Sequence, residues 1–312
     1  LGATGALLRR WNVCQTGYSG NPRAVLPHLR AIRRAAGIVA TSNNVGLPLL
    51  LLKQFGLIPS PVLLLSVGLE AYRSDGNSAR CRRLSRLLQR AERILVFSES
   101  EKQFLQRRLS LSDKQLGMVP YGFSSQYFPS FREERPIEGE ILTVGADAQR
   151  DVELLREWSL RNMETRIRSV LSRELMERLS GVPDSWVVEE EISLNEVFSR
   201  LAQASSVVIP VKRNHYTAGT SFLLQSLATG VPTLVARTGA LTAMQEAKPF
   251  PFLTYEPENL ASFADGMNRL KSLSAEERRH MGREGRLWVE RWGDGRDLLR
   301  ELNDFVQRCT GN

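Results

Sequence analysis

Short apolar runs alternate along this chain with longer stretches of helical spacing, and no other feature restricts the fold as much. Strand candidates fall at residues 37–41, 62–66, 94–97 and 115–119, then at 140–144, 164–169, 186–190, 206–210, 233–236 and 252–254. Helical periodicity fills the intervals, at 24–35, 45–55, 78–92 and 99–109, and again at 151–158, 173–179, 194–204, 221–229, 260–272 and 275–291. A helix between two strands lets the second run parallel to the first, so the pattern predicts parallel sheets with helices on both faces. Residues 122–139 interrupt it. They are rich in Pro, Ser and charge and lack periodicity, as an interdomain linker does. Two doubly wound α/β domains are expected, 1–135 and 136–312, with ligands collecting at the carboxyl ends of the strands.

A length of 312 residues agrees with two domains. At 42% hydrophobic and 24% charged, the chain can bury a substantial core. Cys14, Cys81 and Cys309 are far apart, no CxxC pair occurs, and only His28, His215 and His280 could join them. Free thiols and no metal site are expected. The most apolar segment, 45–58, contains Pro48, Lys53 and Gln54. It is shorter than the roughly 20 residues of a spanning helix and reads as a buried one. No charged region precedes an apolar core at the start of the sequence, so the expected location is cytoplasmic, at most peripheral at the inner membrane face.

Charge is uneven. Residues 1–135 carry 20 Lys+Arg against 8 Asp+Glu, whereas 136–312 carry 22 against 26. A basic first half suits an anionic partner: a membrane surface, a phosphate-bearing acceptor or nucleic acid. The last lacks an aromatic-rich basic segment or recognition motif, so no nucleic acid is expected. Residues 78–93 place Leu84, Leu87, Leu88 and Ala91 on one helical face, with Arg80, Arg82, Arg83, Arg86, Arg90 and Arg93 around the rest. Such a helix could lie on an anionic membrane, or pack its leucines and leave a basic solvent face.

Residues 206–236 are the most informative for chemistry. A buried strand leads into a polar loop, then into a helix with Phe222, Leu223, Leu224, Leu227 and Ala228 on its inner side, which Gly230-Val231-Pro232 ends. Free backbone N–H groups at Gly219, Thr220 and Ser221, together with the helix dipole, would favour a phosphate. Gly219 would admit it closely. The alternative is a plain strand–loop–helix with a Ser/Thr cap.

Residues 216–232, YTAGTSFLLQSLATGVP, resemble the donor-site segment of GT-B glycosyltransferases of the GT4-type family (glycosyl transferases group 1). Further segments resemble that family in its order: 91–100 (AERILVFSES), 117–123 with 127–129 (GMVPYGF and YFP), 141–151 (ILTVGADAQRD), 66–69 (SVGL), and the closing helices at 283–292 and 297–307. The resemblance implies an α/β GT-B fold, two Rossmann-like doubly wound domains with the active site in the cleft between them. It also implies a last helix that crosses back to the first domain.

It implies a donor site as well. Gly145, Asp147, Arg150 and Asp151 would follow one strand, and Lys212, Tyr216, Thr217, Ala218, Gly219, Thr220, Ser221 and Gln225 another. Arg150 would contact the diphosphate, with Lys212 and Arg213 sharing that duty. The family's ribose-binding Glu falls on Gln225, whose amide still donates and accepts. The first acid of its E-x7-E pattern falls on Thr217, its usual loop Arg on Ala146, and its first-domain His on Val67. No catalytic residue is therefore assigned. Glu191 and Ile192 would lie by the nucleotide base, although the acidic run 189–191 also reads as a solvated strand end. The implied activity is sugar transfer from a nucleotide diphosphate-sugar co-substrate to a saccharide or lipid-linked acceptor, with retention and without a metal ion or other cofactor. The alternative is a degenerate member that binds a nucleotide sugar or a partner without turnover.

Overall fold

The computed structural model describes residues 25–69, 78–122, 139–190, 192–243, 250–292 and 295–311. The linker expected at 122–139 lies, apart from its ends, outside the described residues. The chain divides into two compact units. One takes the chain up to Val96, Leu105–Gly117 and the chain from Leu302. The other takes Phe97–Phe104 and Met118–Glu301.

In the first unit, strands β1 (Ile38–Ala40), β2 (Val62–Leu65), β3 (Arg93–Val96) and β4 (Leu116–Met118) form a sheet in that order. The pairings β1–β2 and β2–β3 are parallel. Helices α1 (Leu29–Arg34), α2 (Asn43–Gln54), α3 (Ser78–Leu88) and α4 (Glu99–Leu109), which belongs to this unit from Leu105 on, each precede a strand. β2 reads Val-Leu-Leu-Leu and is buried at every position, as a strand covered on both faces must be. On α3, Leu88 is fully buried and Leu84 and Leu87 partly so, while the Ser85 hydroxyl donates to the Leu109 carbonyl at 2.5 Å. The leucine face of this basic helix is thus turned at least in part into the core, and its arginines Arg82, Arg83 and Arg86 stay exposed.

The second unit contains β5 (Ile141–Gly145), β6 (Ile167–Leu171), β7 (Trp186–Glu190), β8 (Ser206–Ile209), β9 (Thr233–Ala236) and β10 (Leu253–Tyr255). Its helices are α5 (Val152–Ser159), α6 (Arg173–Glu177), α7 (Leu194–Gln203), α8 (Thr220–Thr229), α9 (Gly239–Ala243), α10 (Leu260–Ser272) and α11 (Ala275–Trp292), and α12 (Arg296–Thr310) follows. All strand pairs are parallel, in the order β10-β9-β8-β5-β6-β7. The chain winds outward from β5 through β6 and β7, then returns beside β5 as β8 and winds out the other way. This doubly wound order opens a crevice at the carboxyl ends of β5 and β8, where neighbouring connections diverge.

Two elements differ from the sequence expectation. β6 begins at Ile167 rather than at 164, because Asn162 and Thr165 turn the chain first. The Thr165 N–H bonds the Asn162 carbonyl at 3.0 Å, and the Asn162 side chain caps the Trp158 carbonyl at 2.9 Å. The short α9 has too few turns to show a periodicity and was not expected.

Arg278 holds the far side of the sheet together. Only 4% of it is exposed. Its guanidinium donates to the carbonyls of Leu270 (3.0 Å), Leu273 (3.1 Å) and Ser205 (3.1 Å) and to the Ser206 hydroxyl (3.2 Å). It thereby caps the end of α10, whose last carbonyls lack helical partners, and ties that end to the start of β8. Burial lowers its pKa from the ordinary value, yet each of its three nitrogens donates to an oxygen. Arg278→Met should cost about 3 kcal/mol, since several buried acceptors lose their donor at once. Urea unfolding followed by circular dichroism should show a lower midpoint with an unchanged slope.

Candidate functional site

The loops after β5 and β8 are bound to each other before any ligand is considered. Beyond the paired strands, Arg150 and Val211 form an antiparallel bridge. The Asp151 N–H donates to the Pro210 carbonyl at 3.0 Å, and the Lys212 N–H to the Gln149 carbonyl at 2.8 Å. Asp147 fastens the assembly from the side: its carboxylate accepts from the Gln149 N–H at 2.7 Å and from the Tyr216 hydroxyl at 2.6 Å. The structure thus brings Gly145, Asp147, Arg150, Asp151, Lys212 and residues 216–221 to one place, the switch point of the second sheet.

Arg150 lies at the centre. Its side chain folds back over Gly145, where any Cβ would collide with the guanidinium. A Cβ on Gly219 would come within 3.3 Å of its Nη1 and 2.8 Å of the Ile209 Cγ2. Both positions therefore exclude side chains. The residue is 4% exposed, and its Nε and Nη1 have no hydrogen-bond partner and no ion pair among the described residues. Burial pulls its pKa down to about 10, against the attraction of Asp147, Tyr255 and Tyr216. At neutral pH the group is a buried cation with no ion-pair partner among the described residues, an arrangement that an anion would relieve.

Beside it α8 begins. Gly219 is its N-cap at φ +80, in the left-handed region that glycine enters without strain. The first helical bond runs from the Leu223 N–H to the Gly219 carbonyl, so the N–H groups of Ser221 and Phe222 have no acceptor within the helix. One expectation is corrected here. The Thr220 N–H is not free: it donates to the Thr217 carbonyl at 3.1 Å and closes the turn into the helix. Its side chain is buried, as are Tyr216, Thr217 and Ala218, and the Thr217 hydroxyl has no partner among the described residues. Ser221 is exposed and Gln225, one turn on, partly so, which makes a single accessible stripe on an otherwise buried helix.

Other expected residues have structural duties. The Asp151 carboxylate caps α5, accepting from the Leu154 N–H at 3.2 Å. Burial raises its pKa, opposed by that N–H and by Lys212. The Lys212 ammonium lies 3.6 Å from Glu153, and Arg213 lies 3.7 Å from Glu258, so both cations of that loop already have carboxylates. Glu189 is shared between Arg168 (3.0 Å) and Arg200 (2.7 Å), and Glu190 pairs with Arg173 at 3.0 Å. The acidic strand end is thus neutralised by arginines of neighbouring elements. Ile192 packs partly buried against the core just before α7, and Glu191 lies outside the described residues.

Two contributors had no sequence signal. Arg178 takes Glu153 through two nitrogens, each at 2.8 Å, and donates to the Ala148 carbonyl at 3.1 Å, bracing the loop that carries Arg150. It stands 28 positions away, in no motif. Asn214 donates to the Lys212 carbonyl at 2.7 Å, while its own oxygen is buried without a partner among the described residues. A buried Asn in a loop cannot be told from an exposed one in a single sequence.

No family model matches the chain, and no curated protein matches it in sequence. Solved structures do. Sucrose-phosphate synthase from Thermosynechococcus elongatus is similar over 96% of this chain and 82% of its own, with a TM-score of 0.74 at 15% identity. Anabaena HepE in complex with UDP-glucose is similar over 98% of this chain and 89% of its own, with a TM-score of 0.73 at 12% identity. TarM is similar over 90% of this chain and 57% of its own, with a TM-score of 0.68 at 9% identity. At such identities the likeness establishes architecture, and the chain has the α/β fold that its motifs resemble, the GT-B fold of two Rossmann-like units.

Proposed function

We propose that this chain is a glycosyltransferase whose donor is a nucleotide diphosphate-sugar, held in the second unit with its diphosphate at the start of α8. One observation carries the reading: the guanidinium of Arg150, whose Nε and Nη1 have no partner among the described residues, lies against Gly219 at the start of α8, at the switch point of a doubly wound sheet. A helix start and a buried cation converging on one spot favour a phosphate anion. The Anabaena structures hold UDP and UDP-glucose, which makes uridine nucleotides the first probes. Gln225, on the accessible stripe, would take the ribose hydroxyls, and Ile192 would lie at the base.

In the transfer, the bond between the sugar anomeric carbon and the β-phosphate oxygen breaks and the acceptor hydroxyl oxygen bonds that carbon. The acceptor proton passes to the departing phosphate. Charge rising on that phosphate would be met by Arg150 and the α8 dipole, which need no reorganisation. Such a course proceeds with retention and asks for neither a metal ion nor a protein base. The acceptor would be a saccharide or a lipid-linked sugar. A second reading, binding without turnover, is favoured by Thr217 and Gln225 standing where the resembled family has carboxylates.

Uridine nucleotides and a panel of nucleotide sugars, read by thermal shift, donor hydrolysis and transfer, separate these readings. Stabilisation with hydrolysis or transfer supports the enzyme; stabilisation alone supports the binder; no stabilisation by any nucleotide sinks both. Arg150→Met has two expected effects of opposite sign. Removing an unpaired buried charge should stabilise the ligand-free chain by about 1–4 kcal/mol. The same change should weaken nucleotide binding at least tenfold, and unchanged affinity in titration calorimetry would remove Arg150 from the site. Gln225→Ala should weaken UDP severalfold while leaving pyrophosphate affinity as it was.

A further inference from the structure

One edge of the first unit brings three exposed apolar side chains together with five cations. Each of α1, α2, α3 and α4 precedes a strand, and where helices connect parallel strands their carboxyl ends lie at the amino edge of the sheet. That edge collects Arg33 and Arg34 from the end of α1, Arg86 and Arg90 from the end of α3 and the turn after it, and Arg108 from the end of α4. All five are exposed. In their midst α2 ends in an apolar turn. Phe55 is 71% exposed, Leu57 43% and Leu51 38%. Lys53 does not shield them, because its ammonium turns inward to the carbonyls of Pro59 (3.2 Å) and Ser60 (2.7 Å).

Charge identifies the partner. Residues 25–69 hold four Lys and Arg and no carboxylate, and residues 78–93 hold six Arg against Glu92. Glu92 and Asp113 lie at this edge, and Asp113 accepts from Gln106 at 2.6 Å. A phenylalanine and two leucines protruding among arginines suit a surface that is anionic outside and apolar just beneath. A nucleic acid offers the charge but no apolar interior for a leucine. We propose that the amino edge of the first unit docks on an anionic lipid bilayer, with Phe55 and Leu57 entering the interface and the arginines at the headgroups. The proposal is independent of the nucleotide site in the second unit.

The test is sedimentation of the full chain with vesicles of phosphatidylcholine alone and of phosphatidylcholine mixed with phosphatidylglycerol. Binding to the mixed vesicles, lost in high salt and absent with phosphatidylcholine alone, is expected. Phe55→Ser with Leu57→Ser should lower the partition at least tenfold, since it withdraws two apolar side chains from the bilayer. Arg86→Ser with Arg90→Ser should lower it about twenty-fivefold on its own, at roughly fivefold for each charge. All four side chains are exposed, so thermal unfolding should be unmoved, and the two pairs check each other should one fold poorly. Equal binding to both vesicle types, undiminished binding by both variants, or preference for a homopolymeric RNA over the mixed vesicles would overturn the proposal.

Discussion

The buried charge of Arg150 organises the second unit's loops. A guanidinium that keeps its proton at neutral pH is set where water is excluded, and no carboxylate pairs with it among the described residues. Gly145 and Gly219 leave it room by having no side chains. Asp147, too far for an ion pair, attracts it from a distance while engaged with Tyr216. The arrangement costs stability in the empty chain, and folded proteins tolerate such costs chiefly where a ligand offsets them.

Arg278 shows the opposite solution in the same unit. It is as buried as Arg150, yet three carbonyls and a hydroxyl answer its donors. The contrast separates a structural arginine from one kept ready for an anion. Burial alone does not distinguish them, nor does the lowered pKa they share. The partners do. On the loop side, Asp151, Lys212 and Glu153 are occupied with one another and with helix capping, which leaves Arg150 as the charge without an assignment.

Much of this was legible in the sequence, for a physical reason. Parallel strands covered on both faces must be continuously apolar, so runs such as Val62–Leu65 and Ser206–Ile209 stand out without context. Helix starts carry local signals, and the turn at Gly219 was readable from residue type. What remained hidden depends on contacts between distant positions. That the Thr220 N–H is consumed by Thr217, that Arg178 braces the Arg150 loop, and that the α3 leucines face inward are facts of packing. The arginines of α3 could not reveal which side the helix presents, because a basic solvent face and a lipid-facing one have the same composition. Phe55 and Leu57 were read as part of a buried helix, since hydropathy does not register a turn that pushes apolar side chains outward.

The bridge between Arg150 and Val211 has a thermodynamic consequence. Loops at binding sites are usually ordered by the ligand, and ordering consumes part of the binding free energy. Here the amides of Asp151 and Lys212 are paired across the two connections as though the sheet continued past its last strand. Their hydrogen exchange belongs with that of the strands rather than with that of loops. A ligand arriving at this end of the sheet meets a rigid floor, and its affinity is spent on contact instead of on freezing the chain.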